Sequence, residues 1–320
     1  MIDFSSILNF GTIAITIVFS SMGVAIGGSL ASLAAIQAMY IQPKAKTDIY
    51  KASVLGMALT ETAGIIGLVI TILLLMTRNI EVANKYYWAL SNLGIAFAIG
   101  IIGFTVGLVS SYPVKYACMA IARQPLFGTK ILNLMMLTLS FIQTPIIFAF
   151  IVSLLINYQA PYSNNIVDSL RHIGAGLSIG LGSIGPAIGL AIYSRAACKA
   201  IGINRNSYNK IMTFTFVSEA LIETPVVFAL VTALLLITTT STTSIIAGIA
   251  MISAALCTGI SNIVPGISSG KTAASACNQI AINPNIYSLV GSASLIAQGF
   301  IDSFTIYGWL ISLLLIFFVK

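Results

Sequence analysis

Eight apolar stretches alternate with short polar breaks along the 320-residue chain. They run about 8–40, 50–76, 87–121, 128–156, 170–202, 209–237, 244–281 and 286–318. Each exceeds the roughly 20 residues that carry a helix across the hydrocarbon of a bilayer. Long runs of this kind with almost no Lys, Arg, Asp or Glu predict transmembrane helices. The expected fold is therefore an all-α membrane protein of eight spans. The odd stretches are richer in Gly, Ala and Ser, the even ones in Leu, Ile and Phe. The first stretch has Asp3 where a cleaved signal would carry Lys or Arg, so it is expected to be the first span.

The even stretches repeat one another. A-L-T-E-T-A-G around Glu61 lines up with S-F-I-Q-T-P-I around Gln143, A-L-I-E-T-P-V around Glu223 and G-F-I-D-S-F-T around Asp302. Glu61 to Gln143 is 82 positions, Gln143 to Glu223 is 80, and Glu223 to Asp302 is 79. So steady a period means duplication. The odd stretches keep the same register. Each ends in a polar turn: Ile41-Gln42-Pro43, Arg123-Gln124-Pro125, Ile203-Asn204-Arg205 and Ile282-Asn283-Pro284. Five residues before these turns stand Ile36, Cys118, Cys198 and Cys277, which marks the cysteines as small apolar filler of one repeat position. No cysteine shows metal spacing. The organisation is four tandem helical hairpins, 1–78, 79–160, 161–240 and 241–320, the second with Gln143 where the others have an acid.

Composition agrees with this class. Only 7% of residues are charged and 58% are apolar, and the mean hydropathy is +1.01. The net charge of +7 comes from 15 basic residues, most of them in loops between spans, with no basic stripe of the kind that binds nucleic acid. The turns inside the hairpins and their flanks hold Lys44, Lys46, Lys51, Lys115, Arg123, Lys130, Arg195, Lys199, Arg205, Lys210 and Lys271. The opposite side holds Arg78, Lys85, Arg171 and Lys320. This bias places the turns in the cytoplasm and both termini outside, in an inner or plasma membrane. All four hairpins then enter from the same side and are parallel repeats. Small residues four apart recur on the odd helices: Gly23, Gly27, Ala31 and Ala35; Gly176 and Gly180; Gly185 and Gly189; Gly266, Gly270 and Ala274. Lipid gives no hydrophobic drive for association, so such stripes predict closely packed helices forming an inner layer.

These residues resemble the c subunit, or proteolipid, of rotary F-type ATP synthases. Arg123-Gln124-Pro125 matches that family's polar turn, Gly182-Ser183-Ile184-Gly185-Pro186-Ala187-Ile188-Gly189 its glycine helix, and Asp302-Ser303-Phe304-Thr305-Ile306-Tyr307-Gly308 the segment around its ion-binding acid. Family members are single hairpins, whereas this chain fuses four, as some V-type proteolipids fuse two or more. The resemblance implies a rotor ring built from copies of this chain, with no catalytic site of its own. It implies a stator a subunit that supplies an essential Arg, and a central stalk touched by Gln42, Pro43, Arg123, Gln124, Pro125, Asn204, Arg205, Asn283 and Pro284.

An ionisable group in mid-bilayer is costly and marks a functional site. Glu61 lies 11 residues into a stretch that starts near residue 50, about 16 Å deep at 1.5 Å per residue. Burial there favours the neutral, protonated acid. Glu61, Glu223 and Asp302 are the candidate ion-binding residues and Gln143 a degenerate copy. No cofactor or metal is expected; the transported ion is H⁺ or, alternatively, Na⁺ as in V-type-like proteolipids. Sodium sites of the family resemble a Glu followed by Ser or Thr plus a Gln on the glycine helix. Thr62 and Thr224 supply the first feature, but the Gln position holds Gly28, Ser110, Leu190 and Ser269, which favours the proton. Ser110 and Ser269 remain candidate accessory groups, as does Glu219, one turn before Glu223 on the same face. Pro145 and Pro225 free the carbonyls of Phe141 and Leu221, to ligate or merely to kink the helix. His172, the one histidine, is expected to be an interfacial residue at a span mouth. An eight-span secondary transporter would instead show inverted repeats or a broken helix at a substrate site, and a purely structural scaffold has no use for three repeated acids.

Overall fold

The computed structural model describes residues 4–77, 82–239 and 244–319, and among these it shows eight helices long and apolar enough to cross a membrane. They are α1 (Phe4–Ile41), α2 (Pro43–Met76), α3 (Lys85–Arg123), α4 (Pro125–Tyr162), α5 (Ile166–Ile203), α6 (Arg205–Thr238), α7 (Ile245–Ile282) and α8 (Pro284–Phe318). Most extend a few residues beyond the apolar stretches at each end. Asp3, Arg78 and Lys320, used above for the first span and the charge bias, lie outside the described residues.

The same tight turn joins α1 to α2, α3 to α4, α5 to α6 and α7 to α8. One non-helical residue, Gln42, Gln124, Asn204 or Asn283, leads into a single 3-10 turn. Proline opens that turn at Pro43, Pro125 and Pro284, where its missing N–H costs nothing and its fixed φ is already helical. The third turn has Arg205 at that place. There the Asn204 side chain accepts a bond from Asn206 N at 3.0 Å, the Asx turn that Asn283 also makes with Asn285 N at 3.1 Å in the fourth turn. At the opposite ends, Asn84 caps α3 and Asn165 caps α5 through their side-chain oxygens. Pro145 and Pro225 ride inside unbroken helices. The polar contact near Pro225 falls on its own carbonyl, which accepts from Asn262 Nδ2 at 2.7 Å.

The helices form two rows. Each odd helix packs on the next odd helix, α1 on α3, α3 on α5 and α5 on α7, and each even helix on the next even one. Glycine sets the spacing of the odd row. A Cβ on Gly27 would overlap the Gly107 carbonyl, and one on Gly189 would overlap that of Gly266, while Gly270 lies against Gly189 in return. Backbones in such contact exclude side chains outright. Polar bonds add to this within and between hairpins: Asn92 Nδ2 donates to Asn9 Oδ1 at 3.0 Å, Ser178 Oγ to Ala229 O at 3.1 Å, and Thr258 Oγ1 to Ser312 Oγ at 2.6 Å. Such bonds hold helices together where the hydrophobic effect does not.

The two ends of the rows are open. In the apolar part of α3 and α5, 67% and 72% of residues are buried, against 28% in α1 and 22% in α8. Cys118, Cys198 and Cys277 are buried and free, as packing residues are. His172 is not interfacial: it is fully buried with both ring nitrogens unpartnered, and its carbonyl lies where a Cβ on Gly94 would stand. Close approach of α3 to α5 encloses it. Beside it Arg171 pairs with Asp168 at 3.7 Å and donates to the Thr239 carbonyl.

Gly189→Ala should destabilise the purified chain by about 1–3 kcal/mol through overpacking, because its Cβ meets backbone on a neighbouring helix. Gly299 has nothing within 4 Å of such a Cβ, so Gly299→Ala should be neutral. Thermal loss of monodispersity in mild detergent measures both. Equal behaviour of the two variants would show that the odd row is not set by backbone contact.

Candidate ion-binding sites

The four repeat positions Glu61, Gln143, Glu223 and Asp302 all lie on the even helices, and no two have the same surroundings. Gln143 is the most completely satisfied. Its Nε2 donates to Ser110 Oγ at 3.1 Å, and its Oε1 accepts from Thr62 Oγ1 at 2.7 Å. Ser110 belongs to the same hairpin, on α3. Thr62 belongs to the preceding hairpin, on α2. Thr62 therefore serves the neighbour's site and not that of Glu61, because a residue one position on from the site points about 100° around the helix, toward the next hairpin.

The placement recurs one step along. Thr144, directly after Gln143, stands near the half-buried Glu223 across the next seam, while its Oγ1 donates to Ser140 O at 3.4 Å within its own helix. The sequence hides this placement, because Thr144 follows an amide and not an acid, although it occupies the repeat position of Thr62 and Thr224. Among the described residues no hydroxyl of the third hairpin bonds Asp302. Thr224 Oγ1 donates to Ala220 O at 3.2 Å within its own helix. Asp302 is one methylene shorter than Glu and lies only 7% exposed, its Oδ1 unpartnered. Glu61 stands at the other extreme. It is exposed on α2, in the first hairpin. Ser303, at the equivalent place on the fourth hairpin, is half-buried and donates to Phe300 O at 2.6 Å.

One turn toward the tight turns lies a second layer. Here α1, α3, α5 and α7 present Ser32, Val114, Ser194 and Ala273, and the partner helices present Met57, Leu139, Glu219 and Gln298. Ser32 Oγ contacts Met57 Sδ at 3.0 Å. Val114 and Leu139 are both buried and apolar. Ser194 Oγ donates to Glu219 Oε1 at 3.1 Å. Gln298 Nε2 reaches Ser294 Oγ at 3.2 Å and Ser218 Oγ at 3.4 Å, and its Oε1 accepts from Ser269 Oγ at 3.4 Å. Ser269 thus serves Gln298 in the second layer and not Asp302. Glu219 and Gln298 share one register, set by the spacing of the repeat.

Among the described residues no three His, Cys, Asp or Glu side chains gather as a metal site. The oxygen donors near the repeat positions are hydroxyls and amides. At the tight turns Leu126 is 92% exposed, and Arg123 also faces outward. Lys130 Nζ lies 4.9 Å from the Phe127 ring centroid and 5.2 Å from that of Tyr208, which ties the second and third turns together.

Comparison with known proteins matches this arrangement. The family model for the ATP synthase C subunit matches residues 12–74, 173–236 and 252–315, the parts of the chain that hold Glu61, Glu223 and Asp302. The ATP synthase c subunit of Chloroflexus aurantiacus is 36% identical over 70 residues, 22% of this chain and 92% of that protein. That of Dehalococcoides mccartyi is 40% identical over 70 residues, again 22% and 92%. The chloroplastic ATP synthase c subunit of Antithamnion sp. is 38% identical over 74 residues, 23% of this chain and 90% of that protein. Each relative is thus the length of one hairpin. Eight apolar helices, a glycine-packed odd row and a repeated mid-helix acid, together with these matches, place the chain in the ATP synthase C subunit family as an integral membrane protein in which the family's hairpin recurs, matched in the first, third and fourth of its four hairpins.

Proposed function

We propose that this chain carries protons as a rotor-ring subunit, with Glu61, Glu223 and Asp302 as carriers and Gln143 as a silent position. Copies of the chain close into a ring. Each acid crosses the lipid neutral and ionises beside a stator subunit that supplies an Arg, since no Arg among the described residues lies at the depth of the sites. The tight turns, with their excess of basic residues, face the cytoplasm and the central stalk, and the termini face the other side.

The observation that carries the choice of ion is Asp302. Its carboxyl is buried with one oxygen unpartnered, and the nearby hydroxyl of Thr224 turns to its own helix. A neutral carboxylic acid needs little more in an apolar seam, whereas a dehydrated sodium ion needs several oxygen ligands. Sodium is the second reading because Thr144 stands near Glu223 and would add one such oxygen there. A hydrophobic carbodiimide, which attacks protonated carboxyls in lipid, should modify Glu61, Glu223 and Asp302. Modification should fall as pH rises, and excess sodium at constant pH should not protect. Strong protection by sodium would select the second reading.

The ring closes through its open ends. Between hairpins one and two a hydroxyl of the earlier, Thr62, bonds the site residue of the later, Gln143, and Thr144 stands near Glu223 at the equivalent place. Continuation of that rule between copies sets Ser303 of one chain against Glu61 of the next. Paired Glu61→Cys and Ser303→Cys substitutions should therefore yield disulfide-linked multimers in oxidised native membranes. If only linear monomers form while the single variants behave identically, the ends do not meet this way.

Gln143 cannot release a proton near neutral pH, and both ends of its amide are bonded, so each chain moves three ions per four hairpins. Fewer ions per turn lower the ion-to-ATP ratio, and each ion is then driven against a steeper gradient, one charge costing roughly 2.3 kcal/mol per 100 mV. Such gearing suits pumping, or synthesis at high driving force. Gln143→Glu should raise the ratio by about a third in reconstituted vesicles, because every fourth position of the closed ring becomes a carrier. An unchanged ratio and threshold would sink the gearing idea.

A further inference from the structure

Glu219 is the one carboxylic acid among the described residues that the carrier scheme leaves without a role while its side chain is wholly buried. Its Oε1 accepts from Ser194, and its Oε2 has no partner. An acid with an idle oxygen in an apolar seam is expensive, and the repeat shows that the fold does not require it. The same position is Met57 in the first hairpin and Leu139 in the second, and in the fourth it is Gln298, whose amide is bonded on both sides. What singles out the third hairpin is Glu223, one turn on along α6. Side chains four apart share a helix face with Cβ atoms roughly 5–6 Å apart, so two Glu arms meet without backbone movement. The other titratable side chains that face Glu219 are Tyr193 and Cys198 on α5 and Cys277 on α7. None of them is a cation that would hold it as a carboxylate.

We propose that Glu219 is a positioning residue that stays protonated and donates its spare Oε2 hydrogen to the Glu223 carboxylate when Glu223 gives up its proton. With Glu223 neutral that hydrogen is idle, in keeping with the unpartnered Oε2. With Glu223 ionised, the pair forms a carboxylic acid–carboxylate hydrogen bond, the strong charge-assisted kind. The proton on Glu219 does not leave, so it adds nothing to the ion count. It eases release from the third hairpin relative to the first and fourth. The proposal rests on the proton-carrying role of Glu223.

The test is the pH profile of carbodiimide modification at Glu223 in membranes holding the whole complex, with Glu61 and Asp302 as references in the same chain. Glu219→Leu should move the Glu223 midpoint up by about one pH unit, the scale of a hydrogen bond to a charged group. Glu219→Gln should leave it near the wild-type value, since a carboxamide accepts from Ser194 with its oxygen and donates with its nitrogen. The reference residues should not move. A downward shift in Glu219→Leu is the sign of a removed like charge and overturns the proposal, and no shift assigns Glu219 a purely structural role and does so equally. Glu219→Met, the residue of the first hairpin, repeats the test should the leucine variant fail to assemble. Failure of Glu223 to react in the wild type would instead overturn its carrier role.

Discussion

Contact of backbone on backbone along the odd helices is the constraint from which the rest of the structure follows. In lipid no water is released when apolar helices meet, so what holds them is van der Waals contact at close range and a few polar bonds. Gly189 packed between Gly266 and Gly270 achieves that range by having nothing to exclude. The even helices, with Leu, Ile and Phe, take the outer places because they do not fit there. The repeat positions Glu61, Gln143, Glu223 and Asp302 are thereby carried on the outer row. Substitution in the glycine row would therefore disturb these positions without touching them.

A second consequence is that the place of Gln143 is shared between hairpins: Thr62 of the first hairpin completes it, and Thr144 of the second stands near Glu223 of the third. The geometry is a helix property: adjacent residues on one helix point about 100° apart, so the residue after the acid faces the next seam. The four hairpins enclose three seams, while Glu61 is exposed and Ser303 is half-buried and bonded to its own helix.

Periodicity made much of this architecture legible in the sequence. Eight spans, four repeats, the tight turns and the small-residue stripes all follow from spacing, because each is a local or strictly repeating property. The seam partners do not. Adjacency in sequence pairs Thr62 with Glu61, whereas the fold hands it to Gln143, 81 positions away. Register pairs Ser269 with Asp302, but it bonds Gln298 instead. Distance from the span end puts His172 at an interface, but close packing of α3 on α5 encloses it. Each difference concerns which neighbour a side chain faces, and that depends on rotation of the whole helix and not on the residue.

Fusion also changes what a rotor can be. In a ring of identical hairpins every position takes the same substitution at once, and loss of the acid would stop the machine. Four linked copies free each position to vary alone. This chain differs at every one: an acid at an open end at Glu61, a fully bonded amide at Gln143, an acid with a second acid beneath it at Glu223, and a shorter, deeper acid at Asp302. If these positions carry an ion as proposed, sites that differ in reach, partners and burial would bind it with different free energies. Rotation of such a ring would not proceed by equal steps. It would follow a repeating profile of four unequal steps, one of them without an ion, and the stator must carry the silent position past by torque stored from its neighbours. Elastic coupling of that kind requires hairpins that move as one body, which is what the glycine contacts between successive odd helices provide.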